Sequence, residues 1–277
     1  MKVAGLELRD VRRVAGGDIS EAYRATSDRY GVVFVKHHPG APAGMFAAEA
    51  SGLARLTVDG GPAVPRVVAF DDEGIVLDWV DGGPPSREAA RRFGTGLAAM
   101  HRASAPAFGA AAPGYLATIA LDNTPAPDWP TFHAERRLVP LLDAARGRGA
   151  IDADDAGAVQ RVLDRLDEVS GPPEPPALIH GDLWSGNLLW AADGTVWLVD
   201  AASAHHGHRE TDLAMLALFG APYLHDILAS YDAAYPLAAG WRDRVALHQL
   251  VPLLAHAVLF GGGYGGRAAA AARAVDG

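Results

Sequence analysis

Two short apolar runs in the second half of the chain enclose a dense cluster of polar residues. The first run leads into His180-Gly-Asp182, and Asn187 follows that aspartate by five positions. The second run ends at Asp200. Such runs predict short buried strands, and Leu188–Trp190 would pair with the second of them through a turn at Asp193-Gly194. This hairpin would bring two carboxylates and one amide to the same place.

The spacing of Asp182, Asn187 and Asp200 fits the needs of phosphoryl transfer. Asp182 would accept the proton of an attacking hydroxyl. The amide oxygen of Asn187 and the carboxylate of Asp200 would hold Mg²⁺ on nucleotide phosphates, because Mg²⁺ prefers hard oxygen ligands. Each residue alone also fits an ordinary turn or strand end. The ordered combination favours the catalytic interpretation.

Lysine is nearly absent from the chain: the 24 cations are 22 arginines and two lysines. Lys2 lies at the terminus, where fraying is expected. Lys36 ends the strand-like run Gly31–Lys36, where a compact ammonium would suit phosphates better than a guanidinium fork. A strand-end lysine reaching into water is the alternative. The apolar stripe of Met45–Leu56 predicts a helix that carries Glu49 as a candidate partner for Lys36.

The segment around Lys36 supplies candidate nucleotide contacts. Gly16, Gly17 and Ser20 lie in a loop between strands predicted within Val11–Ala25, where backbone N–H groups could cover phosphates. A Gly-Gly hairpin turn is the plainer alternative. Further strands are predicted at Pro65–Phe70 and Gly74–Val80. The end of the latter would be an interlobe hinge that meets adenine, with Asp78 and Val80 as contacts.

The predicted fold is α+β, with a small β-rich N-lobe (residues 1–80) and a larger, mainly helical C-lobe (residues 81–277). The breaker cluster Asp81–Pro85 marks the boundary. Ser86 is the predicted N-cap of the next helix. Ala103–Pro130 reads as an irregular connection, and the Gly/Ala-rich tail has only weak signals. The other predicted helices are Thr131–Ala145, Asp155–Val169 and a set from Thr211 to about Phe260.

Composition excludes several classes of protein. The chain has 277 residues, a net charge of −9 and no cysteine. Disulfides, thiolate metal sites and cysteine nucleophiles are therefore absent. There is no basic stripe for nucleic acid and no apolar run of 18 residues for a membrane span. The first residues lack the apolar core of a signal peptide, so we expect a soluble cytoplasmic protein.

The motifs together resemble the protein-kinase-like fold in its small-molecule branch, and more narrowly the fructosamine kinase (ketosamine-3-kinase) family. The resemblance covers about residues 11–262. Its motifs are Gly16-Gly-Asp-Ile-Ser20, Phe34-Val-Lys36, Met45–Leu53, His180–Asn187, Gly207–Met215 and Phe219-Gly220. It implies an ATP- and Mg²⁺-dependent kinase that phosphorylates a ketosamine or glycated amine, with C3 of the sugar as the acceptor and deglycation as the role.

The resemblance also implies residue roles on the acceptor side. Trp184 would be a platform for the sugar or its amine substituent. His208, Arg209 and Glu210 would support the catalytic loop or face the substrate, in preference to a zinc site with His205 and His206. This sequence departs from the family at Asp200-Ala-Ala202, where relatives have Asp-Pro-Ala, and after Asp122-Asn123.

Two other functions stay open from the sequence. One is a kinase for a different acceptor, such as an aminoglycoside or choline, because His-Gly-Asp-x4-Asn is shared across the superfamily. The other is a non-catalytic nucleotide-binding scaffold. The scaffold is disfavoured because Lys36, Asp182, Asn187 and Asp200 are all present. Gly181 stands where protein kinases have the arginine that reads the activation-loop phosphate, and few residues separate Asp200 from Asp212, so we expect no control by a phosphorylated activation loop.

Overall fold

An antiparallel sheet forms the first lobe in the computed structural model, which describes residues 1–14 and 19–276. The six described strands of this sheet lie in the order β1-β2-β3-β4-β6-β5. They are β1 (Lys2–Val3), β2 (Leu6–Arg13), β3 (Glu21–Ser27), β4 (Gly31–His37), β5 (Val67–Phe70) and β6 (Gly74–Asp78).

The central strand β4 shows why the sheet has two different faces. Val33 and Val35 are fully buried in the core on one face. Lys36 and Phe34 point to the other face, because neighbouring residues of a strand alternate between faces. Lys36 lies opposite Ala22 of β3. The ammonium of Lys36 therefore lies on the face opposite Val33 and Val35.

Helix α1 (Met45–Leu56) covers that second face. It buries Met45, Phe46 and Leu53, and Glu49 is also only 3% exposed. A Cβ built on Gly52 would lie 1.8 Å from the carbonyl oxygen of Ala201, the residue after Asp200. Only glycine allows this approach, so the helix backbone rests directly on the segment that carries Asp200.

The second lobe is mostly helical, with short hairpins between its helices. Ser86 caps α2 by accepting from the backbone N–H of Ala89, as predicted, and Asp152 caps α5 in the same way through Asp155. The helices are α2 (Arg87–His101), α3 (Trp129–His133), α4 (Val139–Gly147), α5 (Ala153–Asp164), α6 (Leu166–Val169), α7 (Glu210–Phe219), α8 (Leu224–Ala234), α9 (Val245–Phe260) and α10 (Tyr264–Asp276). A π-helical turn, Ala134–Leu138, joins α3 to α4.

Three two-stranded antiparallel sheets complete the described part of the second lobe. Strands β10 (Leu188–Trp190) and β11 (Val196–Leu198) form the predicted hairpin. Strand β9 (Ala177–Ile179) pairs with β12 (His205–Gly207), and β7 (Gly114–Leu116) pairs with β8 (Ile119–Leu121). Across the described residues, no helix combines the length and apolar character needed to cross a bilayer.

Two expectations about local structure were wrong, and the tail, for which no structure was predicted, is helical. The segment 103–130 is not wholly irregular, because it contains the β7–β8 hairpin and the start of α3. The tail forms the 13-residue helix α10, which packs against α9 and α5. Lys2 is not frayed but pairs with Glu7 of β2.

The two lobes share part of their hydrophobic core. One cluster joins residues of α1 and β6, such as Phe46 and Leu77, to Phe93 and Leu97 of α2 and Leu198 of β11. A second cluster fills the space among α4, α5, α9 and α10. The lobe boundary at residue 80 therefore stays a prediction, since the core continues across it.

We expect Gly52→Ala to lower the free energy of unfolding by about 1–3 kcal/mol, because its methyl group would overlap the Ala201 carbonyl and force α1 away. Urea denaturation measures the change. Gly157→Ala in α5 is the matched control: its methyl group would meet nothing closer than 3.8 Å. That variant should gain up to ~1 kcal/mol from helix propensity. Equal effects of the two substitutions would contradict the packing argument.

Candidate active site

Lys36 lies between two carboxylates at the meeting point of the lobes. Its Nζ is 2.8 Å from Oε1 of Glu49 and 3.0 Å from Oδ1 of Asp200. The predicted pairing with Glu49 is present, and Asp200 joins it from the C-lobe. The side chains of Lys36 and Glu49 are 12% and 4% exposed, whereas that of Asp200 is 46% exposed. The carboxylate of Glu49 is therefore enclosed by protein, whereas that of Asp200 is partly open to the cleft.

The three charges shift one another's pKa values. Burial would lower the pKa of Lys36, but Asp200 and Glu49 outweigh it and raise that pKa. Burial and the Asp200 charge raise the pKa of Glu49 to about 7, although Lys36 works against them. Burial alone would raise the pKa of Asp200, but the charge of Lys36 outweighs it and lowers that pKa. Lys36 thus remains charged, with Asp200 as its ionised partner.

Asp182 lies directly beyond β9, in a loop whose shape depends on Gly181. The φ angle of Gly181 is +80°, and a Cβ there would meet the Ser203 carbonyl oxygen at 2.6 Å. The loop returns through Asn187, whose Nδ2 donates to the Asp182 carbonyl at 2.9 Å and to Oδ2 of Asp182 at 3.2 Å. The same amide therefore closes the loop and orients the carboxylate.

The environment of Asp182 favours its protonated form. Burial is the main cause, and the charges of Asp200 and Asp212 add to it, while the hydrogen bond from Asn187 and the charge of Lys36 oppose them. Together they raise the pKa of Asp182 to about 8. A carboxyl group whose pKa lies near neutrality is suited to exchange a proton with a bound hydroxyl.

Asp212 holds the loop of His180 and Gly181 in place, and it was not among the residues predicted for the site. Its Oδ2 accepts the backbone N–H of His180 at 2.8 Å, and its Oδ1 accepts that of Gly181 at 2.9 Å. Nε2 of His101, at the end of α2, lies 3.1 Å from Oδ2. Asp212 belongs to the motif Gly207–Met215, so the sequence did contain a signal for it. Nothing in the helical pattern of α2 singled out His101.

Oδ1 of Asn187 and Oδ2 of Asp200 are two oxygen atoms that could bind a divalent cation. Val199 N donates to the Asn187 carbonyl, so the β10–β11 hairpin brings Asn187 next to Asp200. Among the described residues, no donor contacts Oδ1 of Asn187 or Oδ2 of Asp200. One amide oxygen and one partly exposed carboxylate fit Mg²⁺, which binds one or two protein oxygens together with phosphates and water.

The predicted nucleotide contacts are only partly described. Gly16 and Gly17 lie outside the described residues. Ser20 immediately precedes β3 and is half-buried. Asp78 ends β6, where its carboxylate pairs with Arg66 at 2.9 Å, and Val80 follows two residues later. The Asp78 side chain is therefore already engaged, which leaves the backbone of the hinge for contact with a nucleotide.

The residues predicted on the acceptor side divide into two groups. Trp184 is half-buried in the catalytic loop, with its indole folded over Gly186. His208, Arg209 and Glu210 are at most 4% exposed. Arg209 pairs with Glu174 at 2.5 and 2.7 Å. Because His208, Arg209 and Glu210 are buried, their burial favours support of the loop that carries Asp182 over direct contact with a substrate.

His208, Glu210 and His248 have ligand atoms within 4.8 Å of one another, which is close enough for a metal ion. Both oxygens of Glu210, however, accept from Arg244, at 2.6 and 2.9 Å. The guanidinium neutralises the carboxylate and occupies the position that a cation would need. The arrangement agrees with the preference for a structural role over zinc.

The fold and the site are those of a kinase that transfers phosphate from ATP to a small molecule. The fructosamine kinase family model matches residues 2–275, and the chain belongs to that family. A protein from Thermobifida fusca YX-ER1, described as a candidate fructosamine-3-kinase, has a crystal structure with a TM-score of 0.91. It is 48% identical, over 99% of this chain and 95% of its own.

A curated relative supports the same assignment, and a more distant structure shares the fold alone. A "Probable ketoamine kinase" from Thermus thermophilus is 36% identical over 266 residues, which is 95% of this chain and 94% of the relative. Aminoglycoside phosphotransferase APH(4)-Ia shares the fold, with a TM-score of 0.64 and 16% identity over 97% of this chain and 94% of its own. The fold is thus shared with a protein of only 16% sequence identity, whereas the two relatives named as fructosamine or ketoamine kinases are 48% and 36% identical to this chain.

We expect Lys36→Arg to lower kcat/KM for ATP by on the order of 100-fold, because a planar guanidinium cannot take the place of an ammonium held at 2.8 and 3.0 Å by two carboxylates. Steady-state kinetics with varied ATP measures the change. Lys2→Arg alters the only other lysine and should leave kcat/KM unchanged. Wild-type kinetics in both variants would show that charge alone suffices at residue 36.

The buried histidines predict an acid-sensitive fold. Burial, followed by nearby cationic groups, places the pKa of His133 well below its ordinary value, and Nε2 of His133 has no hydrogen-bond partner within the described residues. Below pH 6.5 the unfolded chain takes up a proton here that the folded chain does not. Stability at this residue is therefore complete above pH 6.5 and is lost as the pH falls.

The difference in unfolding free energy between His133→Phe and wild type should shift in favour of the variant by on the order of 1 kcal/mol as the pH falls from 7.5 to 5.5. Phenylalanine keeps a ring against Trp129, which is stacked on His133 at 4.4 Å. Urea denaturation at three pH values measures the difference. The exposed His225, changed to Phe, is the control. A gap between His133→Phe and wild type that stays constant with pH would refute this explanation.

Proposed function

We propose that the protein phosphorylates a ketosamine, a fructosamine or ribulosamine, at the C3 hydroxyl of the sugar. The 3-phosphate is unstable and breaks down with release of the amine, so the role would be deglycation in the cytoplasm. The observation that carries the proposal is the convergence of Lys36, Asp182, Asn187 and Asp200 in a chain of the fructosamine kinase family.

The site residues have separate roles in this reaction. Asp182 orients the acceptor hydroxyl and takes its proton as the new O–P bond forms and the bond to ADP breaks. Asp182 must be ionised to take this proton, and a cation bound at Asp200 would favour that form by offsetting one of the charges that raise the pKa of Asp182. A loose transition state depends on the position of this carboxylate more than on its base strength. Lys36 binds phosphate oxygens, held in place by Glu49.

Asn187 and Asp200 would hold Mg²⁺, which neutralises charge on the phosphates. The carboxylate of Asp200 is the partly exposed member of the Lys36 group and therefore the one able to reach the cleft. Gly16, Gly17 and Ser20 would cover the phosphates, and the backbone from Asp78 to Val80 would meet the adenine. Trp184, two residues beyond Asp182, would contact the sugar.

The test is ADP release from Mg²⁺-ATP by the purified protein. Fructosyl-lysine, ribulosyl-lysine, an aminoglycoside and choline are compared as acceptors. We expect ketosamine-dependent release only. Release with an aminoglycoside or choline alone would keep the mechanism and reject the proposed substrate.

Asp182→Asn should lower kcat by on the order of 10² to 10⁴, the usual contribution of a positioned general base. The amide preserves shape, so ATP binding measured by titration should be nearly unchanged. Asp167→Asn, an exposed aspartate in α6, is the matched control and should retain full turnover. Near-normal turnover in Asp182→Asn would reject the assignment of the base.

A further inference from the structure

Five aromatic rings form a continuous row that starts at the catalytic loop. The Trp184 indole meets Phe219, at the end of α7, edge-on with 6.0 Å between centroids. Phe219 lies 5.1 Å from His256 of α9. His256 in turn contacts Phe260 at 5.4 Å and Tyr264, the first residue of α10, at 5.0 Å. The row thus connects the loop of Asp182 to the ends of three helices.

The exposure of these rings differs from that of a hydrophobic core. None of the five is buried, and Phe260 is 53% exposed. Aromatic residues of the true core nearby, such as Phe132 and Tyr231, are at most 1% exposed. The five rings form a contiguous, partly exposed patch, and exposed apolar patches often mark a binding surface.

The row carries little charge. Nδ1 of His256 lies 2.7 Å from the Pro252 carbonyl, so this nitrogen carries the hydrogen and Nε2 is an acceptor. Burial lowers the pKa of His256, which keeps the imidazole neutral. In the described residues, the one cation over a ring of the row is Arg267, 5.0 Å from Tyr264. Such a surface suits a flat apolar group and is unfavourable for a polycation.

The geometry points to a subsite for the amine-derived substituent of the acceptor, formed by Phe219, His256 and Tyr264, which selects ketosamines whose amine carries an aromatic side chain. This inference rests on the proposed function, because the sugar must be held at Asp182 and Trp184. The substituent attached at the first sugar carbon would then extend along the row. Arg267, at the outer end, would favour a carboxylate on that substituent over an ammonium.

Two ketosamines separate this subsite from the sugar site. They are the fructose adducts of phenylalanine and of glycine, which differ only by the benzyl group. Contact of one ring with an aromatic row predicts that wild-type kcat/KM is about 10-fold higher for the phenylalanine adduct. Phe219→Leu and His256→Ala should each reduce that ratio to within about twofold of one.

Phe70→Ala is the matched control, because Phe70 is 48% exposed on the distant edge strand β5. It should change neither rate. Thermal unfolding and the KM for ATP of each variant check that the fold and the nucleotide site are intact. Phe219→Leu keeps an apolar side chain of similar bulk, so it tests the ring separately from folding.

Three results overturn the inference. One is a wild-type enzyme that does not prefer the phenylalanine adduct. Another is an equal proportional loss for both adducts in the Phe219 and His256 variants. Absence of turnover with every ketosamine would reject the proposed function itself, and is distinguished by the lack of any rate with the glycine adduct.

Discussion

The contact of one ammonium with two carboxylates joins the parts of this molecule that must act together. Lys36 comes from the sheet, Glu49 from α1 and Asp200 from the end of the β10–β11 hairpin. Removal of one partner from a buried ion pair costs several kcal/mol, because the remaining charge is left without compensation. The backbone contact of Gly52 with Ala201 sets the distance at which this group forms. The relative position of the lobes is therefore fixed by the ion pair of Lys36 with Asp200 and by the packing of Gly52 against the next residue, Ala201.

Asp182, the proposed catalytic base, is in contrast positioned mostly through backbone hydrogen bonds. Asp212 accepts two consecutive N–H groups of the loop, and His180 Nδ1 accepts the N–H of Asp182. The other nitrogen of His180 contacts the Val199 carbonyl, next to Asp200. One imidazole thus links the loop of Asp182 to the residue that precedes Asp200.

The sequence predicted the elements whose signals are local. The hairpin before Asp200, the Ser86 cap and the pairing of Lys36 with Glu49 all follow from spacing and residue type. Helix α10 was missed because its alanines and glycines give no apolar stripe, and it is held by packing against α9 and α5. His101 was missed for a related reason. Its importance comes from Asp212, 111 residues away, and no local pattern records that contact.

The architecture alone does not define an acceptor. The structural likeness to an aminoglycoside phosphotransferase at 16% identity shows that one fold serves this protein and a distant relative. Phosphoryl transfer makes the same demands on every acceptor hydroxyl, so Lys36, Asp182 and Asp200 carry no information about the rest of the substrate. Selectivity must come from side chains outside that group. The row from Trp184 to Tyr264 begins at the loop of the base and leads away from it. Its rings provide apolar area where a polycationic acceptor would need carboxylates.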